Sequence, residues 1–181
     1  EERNHHSLVL KRGPEPVAPG QGAVLAGHVH GGLRSWGWLV AGAYAMRFRN
    51  VTLDDSEALF ALWRRAGLEL SFGDDRPGLA QRLARDRELF FVGEVDGRIV
   101  AGVMGCYDGR RGWVNHLAVD PAAQGGGLGA LMLAELERRL RAIGCLKVNL
   151  LIKRSNAAVV DFYAKAGYRQ DDLIFMAKVL D

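Results

Sequence analysis

The stretch Trp113-Val114-Asn115-His116-Leu117-Ala118-Val119-Asp120-Pro121-Ala122-Ala123-Gln124-Gly125-Gly126-Gly127-Leu128-Gly129-Ala130 decides how the rest of the chain is read. It opens as an apolar strand-like run to Val119, turns at Asp120 and Pro121, and passes through three consecutive glycines straight into a helical pattern. Glycines at a helix start leave backbone N–H groups without intrahelical partners and without side chains above them, and the helix dipole adds positive potential there. Such a place suits an anion, most naturally a phosphate. A merely flexible turn is the alternative that three glycines leave open.

Downstream, Leu128, Leu131, Met132, Leu136, Leu140 and Ile143 recur at helical spacing, Glu135, Glu137, Arg138, Arg139 and Arg141 take the outer face, and Gly144 supplies the stop. Lys147 to Ile152 is a compact strand. Strand, helix, strand in that order predicts a parallel pair with a right-handed crossover. Ser155 is predicted to cap a helix reaching Ala166, stopped by Gly167, and Tyr168 to Leu180 to supply closing strands with a turn around Gln170 to Asp172.

Upstream, Met46 to Val51 alternates as a short strand, and Thr52 can cap a helix carrying Leu53, Ala58, Leu59, Leu62 and Trp63 to a stop at Gly67. A loop with Phe72, Gly73, Asp74, Asp75 and Pro77 leads to a second helix over Leu79 to Arg87. Leu89 to Val95 and Arg98 to Tyr107 are β-rich runs separated by Asp96 and Gly97, the two-residue hairpin signal. The next turn, Tyr107 to Gly112, feeds the central strand. The predicted architecture is α/β of the α+β kind: a mixed, mostly antiparallel sheet flanked by helices, with one parallel strand pair.

A chain of 181 residues, 49% hydrophobic and 25% charged, suits one core. That core is assigned to residues 46–181, and residues 1–45, rich in Gly and Pro and without periodicity, to an amino-terminal extension outside it. The run Trp36 to Ala45 imitates a signal-peptide cleavage site, but it is short and its upstream stretch is long and mixed in charge. His5, His6, His28 and His30 lie in the extension and could bind a metal, but they read as a solvated tail, so no metal is expected. Cys106 and Cys145 lack CxxC spacing and read as reduced thiols of a cytoplasmic protein. A net charge of +3 with interleaved signs points to no nucleic-acid partner, and no membrane partner is expected either.

Of two nucleotide-binding readings of the glycines, one fails and the other is a weak match. A phosphate loop of the NTPase kind needs Lys and Ser or Thr where Ala130 and Leu131 follow Gly129. A dinucleotide loop is matched by Gly125, Gly127 and Ala130. However, Asp120 to Gln124 intervene after the strand where that turn is tight, and Leu150, Leu151 and Ile152 offer no acidic residue to a ribose.

Gln124, Gly127 and Gly129, between an apolar strand and an amphipathic helix, fit the Q/R-x-x-G-x-G/A signature of the GNAT superfamily of acyl-CoA N-acetyltransferases, which the chain resembles over residues 46–181. Asn156, Ala157, Val160, Phe162, Tyr163, Gly167 and Tyr168 resemble its second signature. The hairpin and the run Val103 to Gly112 look closest to the bacterial YpeA-type acetyltransferases.

The resemblance implies that the strand ending at Val119 splays from its parallel neighbour and that acetyl-CoA lies in the gap. Leu117, Ala118 and Val119 would meet the pantetheine arm along the strand edge. Gln124 and the backbone of Gly125, Gly126, Gly127, Leu128, Gly129 and Ala130 would hold the pyrophosphate, with Arg111, Lys153 or Arg154 in reach of the outer phosphate, and Asn156 would hydrogen-bond the cosubstrate. The Tyr163 hydroxyl would protonate the departing thiolate, a role that a phenol with an ordinary pKa of about 10 can fill at neutral pH. The activity implied is acetyl transfer to a primary amine of a small molecule or protein amino terminus, by a monomer or homodimer. A non-catalytic acyl-CoA-binding regulatory module is the alternative. Relatives carry a base at positions matching Trp113 or Asn115, neither of which can serve, and strand alternation predicts His116 on the opposite face. Glu94 and Asp108 are the remaining carboxylates, and Leu70, Phe72, Asp74 and Asp75 are candidates for the acceptor pocket.

Overall fold

The computed structural model describes residues 38–41 and 44–180. The amino-terminal histidines and the rest of the Gly- and Pro-rich stretch lie outside the described residues. Among the described residues six strands, β1 (Trp38–Ala41), β2 (Tyr44–Asn50), β3 (Phe90–Val95), β4 (Arg98–Tyr107), β5 (Gly112–Val119) and β6 (Val148–Leu150), lie side by side in chain order. All neighbours are antiparallel except β5 and β6. Part of the apolar run before Met46 is therefore an edge strand, paired to β2 from Trp38 opposite Arg47 to Ala41 opposite Tyr44.

The hairpin between β3 and β4 turns on Asp96 (φ 49°) and Gly97 (φ 74°), the two positive dihedrals that match the strand twist. Ahead of β3, Asp55 accepts the Thr52 backbone N–H at 2.8 Å and its hydroxyl at 3.0 Å. This starts a short 3₁₀ turn (Leu53–Asp55) that runs into α1 (Ser56–Arg65). Gly67 (φ 77°) ends that helix, and the Leu68 N–H reaches back to the Trp63 carbonyl at 2.9 Å. The second helix, α2 (Arg76–Asp86), starts three residues before its predicted place because Asp75 caps it, accepting from the Gly78 N–H at 2.7 Å.

The helices cover both faces of the sheet. On one, Leu59, Leu62 and Trp63 of α1 and Leu79 of α2 pack over Phe90, Val92, Met104 and Ala118. On the other, Leu128, Met132, Leu133, Leu136 and Leu140 of α3 (Leu128–Ala142) pack over Phe91, Val103, Val114, Leu117 and Val119. Each side chain buried in this way contributes about 1.5–3 kcal/mol, which fixes the register of β3 to β5.

The end of the chain departs from its sequence pattern. The segment expected to be one helix from Ser155 is a 3₁₀ turn (Arg154–Val159), non-helical at Asn156 (φ −111°, ψ 32°), followed by a short α4 (Val160–Lys165). Among the described residues, 169–180 hold no strand, although Tyr168 to Leu180 is β-rich in composition. Strand propensity expresses packing against neighbouring strands, and here no ladder supports it. Leu173, Ile174, Met176 and Leu180 stand in solvent. Among the described residues no helix is long and apolar enough to cross a membrane. Neither cysteine is in a disulfide; Cys145 is buried and Cys106 half-buried.

Candidate active site

The site is built where β5 and β6 part. Their parallel pairing runs only from Gly112 opposite Val148 to Val114 opposite Leu150, yet β5 continues to Val119. The cause lies one residue past the last pair. Met104 of β4 faces His116 and Gly105 faces Val114, so Asn115 is an extra residue, a β-bulge. A bulge bends its strand and adds twist, and bulges are common beside active sites because they re-aim side chains. From this point Leu117, Ala118 and Val119, all buried, form the last stretch of β5 with no partner strand on the β6 side among the described residues.

The glycine loop closes that end of the gap. Asp120 accepts the Ala122 N–H at 3.1 Å, starting a single 3₁₀ turn (Pro121–Ala123), and its other oxygen takes Nε of Arg65 from α1 at 2.9 Å. Gln124 donates from Nε2 to the Val119 carbonyl at 3.0 Å. Gly125 (φ 86°) and Gly127 (φ 80°) occupy the left-handed region that favours glycine, and a Cβ at either would meet no atom within 4 Å. Gly125, Gly126 and Gly127 are exposed, Leu128 points into the core and Ala130 faces solvent. Gly129 lies under the Phe162 ring, 3.5 Å from where its Cβ would be. The result is bare backbone over the first turn of a 15-residue helix, a surface whose N–H groups and dipole suit an anion.

The far wall comes from the last helical segment. Asn156, Val159 and Tyr163 are its buried residues. Asn156 and Tyr163 therefore share the inward face, although a kink at Asn156 interrupts the helix predicted from Ser155 to Ala166. Both carry a buried polar atom with no hydrogen-bond partner among the described residues, Nδ2 of Asn156 and the hydroxyl of Tyr163. An unmet buried donor costs about 1–3 kcal/mol, which makes each a candidate ligand contact. The Tyr163 ring is held edge-on by Phe162 and Tyr168, at centroid distances of 4.9 and 5.6 Å. Burial, then the neighbouring Tyr168, pushes the Tyr163 phenol well above its ordinary pKa, so it is protonated at neutral pH.

The carboxylates considered as bases are otherwise engaged. Asp108 accepts the Arg110 N–H at 2.8 Å, the Arg111 N–H at 2.6 Å and the Trp113 indole at 3.1 Å. The Arg111 N–H first, then the indole, holds its pKa down to about 2. Burial pushes Glu94 up, but Arg49 and Arg47, at 2.7 and 2.8 Å, outweigh it and leave Glu94 below its ordinary value. Arg111 sits at the start of β5, the opposite end from the glycines, and Lys153 is paired with Glu69.

The adjacent pair Asp74 and Asp75 divides its work. Asp75 caps α2, whereas Asp74 is buried and lies 3.2 Å from Nε2 of His116. Alternation from Asn115 predicted His116 on the other face, but the bulge reverses it. Val114 and Leu117 both belong to the core beneath α3, and His116 between them packs on Trp63 of α1 with ring centroids 4.7 Å apart. The legible clue is that one helix start needs one capping carboxylate, leaving the second aspartate to find another partner. Phe72 is exposed beside this loop and Leu70 packs partly against the α1 core. Among the described residues no group of His, Cys, Asp and Glu gathers that could hold a metal.

The profile of the acetyltransferase (GNAT) family matches residues 52–168. An acetyltransferase of Pectobacterium atrosepticum is 38% identical over 135 residues, covering 75% of this chain and 96% of its own. The N-acetyltransferase PaiA of Thermoplasma acidophilum, solved with coenzyme A, superposes with a TM-score of 0.65 at 19% identity, over 72% of this chain and 93% of its own. A predicted acetyltransferase of Clostridium acetobutylicum, solved with acetyl-CoA, gives a TM-score of 0.58 at 18% identity, over 74% and 96%.

Proposed function

The chain belongs to the acetyltransferase (GNAT) family, and from that premise we propose that it transfers the acetyl group of acetyl-CoA directly to a primary amine, with Tyr163 as general acid. The observation that carries this reading is the parting of β5 from β6 after Val114, which leaves a strand edge running to the bare backbone of Gly125 to Gly127. A thin ligand with two amides and a diphosphate matches that surface, with the amides along Leu117 to Val119 and the diphosphate at the N–H groups from Gly125 to Ala130. Asn156 supplies an amide donor from the opposite wall.

The amine attacks the thioester carbonyl, and the tetrahedral intermediate collapses by expelling the CoA thiolate. Tyr163 donates its phenolic proton to that sulfur. A buried phenol without a competing partner keeps its proton until a strong base, the thiolate, forms beside it. Holding both reactants in one gap supplies the proximity term.

Thiol release from acetyl-CoA, followed against a panel of small amines and peptide amino termini, tests the reading. Tyr163→Phe is expected to lower kcat by about 100-fold or more while the acetyl-CoA dissociation constant changes by less than about threefold. A module that only binds acetyl-CoA would show no release with any acceptor and would be indifferent to the substitution.

A further inference from the structure

Tyr163 has no hydrogen bond through its side chain: the hydroxyl is buried and meets no partner among the described residues. Its orientation is therefore set by the groups around its ring. Phe162 and Tyr168 meet that ring edge-on, at centroid distances of 4.9 and 5.6 Å, and they are anchored differently. Phe162 rests on Gly129 in the first turn of α3, where a Cβ would stand 3.5 Å from its ring. Tyr168 is gripped at both ends. Gly167 (φ 90°) follows α4 in the left-handed region and turns the chain back, so that the Tyr168 N–H donates to the Tyr163 carbonyl at 3.0 Å. Its hydroxyl donates to the Glu137 carboxylate of α3 at 2.9 Å, a charge-assisted bond stronger than one between neutral groups. Burial first, then Glu137, pushes the Tyr168 phenol well above its ordinary pKa, so it keeps the proton it donates. Both anchors end on one helix: Gly129 and Glu137 stand about 12 Å apart along the α3 axis, at about 1.5 Å per residue. A phenylalanine at position 168 would supply the same ring face. The hydroxyl adds a fixed direction, by tying the far end of that ring to α3.

Resting on the acetyl-transfer reading above, we propose that Tyr168, latched to Glu137, is the positioning residue for the general acid Tyr163. The helix that carries the latch is the one whose first turn is assigned to the diphosphate. The latch therefore sets the reach of the Tyr163 phenol from the same frame that holds acetyl-CoA, and the acid meets the sulfur without a search. No bond to a reacting atom is made or broken at Tyr168 or Glu137. With the latch released, the Tyr168 ring tilts away, and Tyr163, which has no side-chain bond of its own, follows it. A displacement of about 1 Å at a reacting group costs up to about 100-fold in rate, so a small tilt is enough to register in kcat.

The test uses the full chain and whichever of propylamine, glycinamide and an alanyl peptide gives the fastest thiol release from acetyl-CoA. Tyr168→Phe and Glu137→Ala are each expected to lower kcat by about 10-fold or more. KM for acetyl-CoA, and its dissociation constant by calorimetry, should change by less than about threefold, which also shows that the variants fold. Glu137→Gln, whose amide oxygen still accepts from the phenol, is expected to bring kcat back to within about threefold of wild type. The deciding measurement is made in the Tyr163→Phe background. There, adding Tyr168→Phe should lower kcat by less than about twofold more, because the group it positions is gone. A further loss of about 10-fold in that background would assign the latch to packing. So would wild-type kcat in Tyr168→Phe and Glu137→Ala beside an impaired Tyr163→Phe, and both results leave Tyr163 as the acid. Wild-type kcat in Tyr163→Phe would remove the acid, and no thiol release by the wild type with any of these amines would remove the acetyl-transfer reading; either result overturns the positioning role with it.

Discussion

Gln124 Nε2 donates to the carbonyl of Val119 at 3.0 Å, so the residue that opens the glycine run is tied back to the last residue of β5. The bond closes the loop over Asp120 to Ala123 and sets the direction in which Gly125 leaves. Gln124→Ala removes one half-buried hydrogen bond worth about 1 kcal/mol, spent on holding the loop in its ligand-ready shape. Acetyl-CoA affinity is expected to fall about 5- to 10-fold by titration calorimetry, with little change in Tm. Unchanged affinity would show that the loop keeps its shape without this bond.

Gly126 and Gly127 separate two effects that a glycine run usually confounds. Gly127 has φ 80° and precedes the first residue of α3, so Gly127→Ala forces an L side chain into the left-handed region. The cost is about 1–2 kcal/mol, and Tm should fall by about 2–8 °C. Gly126 has no positive φ, and its Cβ would meet only the Ala123 carbonyl, at 4.0 Å. Gly126→Val is therefore expected to leave Tm within about 1 °C while weakening acetyl-CoA binding at least 10-fold, because its branches project over the backbone assigned to the diphosphate. Equal binding by Gly126→Val and wild type would move the diphosphate elsewhere.

The parts of this fold legible in the sequence are those whose cause is local. Asp96-Gly97 makes its turn by its own dihedrals, the stripe from Leu128 to Leu140 marks its helix face, and strand, helix, strand dictates one parallel pair. The glycine loop follows from the same local signals, whereas the kink at Asn156 has none. The bulge at Asn115 has no such signal. It is a register slip between β4 and β5, set by how two separate faces fill, and a one-residue slip reverses every later side chain. That is why strand alternation predicts the wrong face for His116. The tail from Tyr168 shows the converse limit, since β-rich composition names a strand only where another strand is there to pair.

The ion pairs give a pH dependence with a definite sign. Arg49 holds Asp55 below its ordinary pKa, and arginines outweigh the upward push of burial at Glu94 and at Glu135. The folded-state values of these carboxyls are depressed, so their contribution is fully present above the unfolded values, about 4, and is lost as pH falls through the lower folded values. Tm should fall steadily on acidification from about pH 5 towards pH 2. Glu94→Gln is expected to lower stability at pH 7 by about 1–3 kcal/mol and to flatten the acid limb. A variant that keeps the wild-type slope would assign the acid sensitivity to other groups.

Tyr163 makes a prediction that activity alone does not contain. Its hydroxyl is buried with no partner among the described residues, a destabilising arrangement that a structural tyrosine would normally avoid by reaching an acceptor, as the neighbouring Tyr168 does by donating to the Glu137 carboxylate at 2.9 Å. Removing the hydroxyl relieves a penalty of about 1–3 kcal/mol at the expense of a small void. Tyr163→Phe without ligand is therefore expected to melt a few degrees higher than wild type, against the usual direction for a core substitution. Acetyl-CoA should narrow that difference, because the wild-type hydroxyl then meets the thioester end and the phenylalanine gains nothing there. Differential scanning calorimetry with and without acetyl-CoA reads both terms. A variant that melts lower in both states would mean that the hydroxyl is already satisfied in the free protein, and the orphaned donor would no longer support its role as the acid.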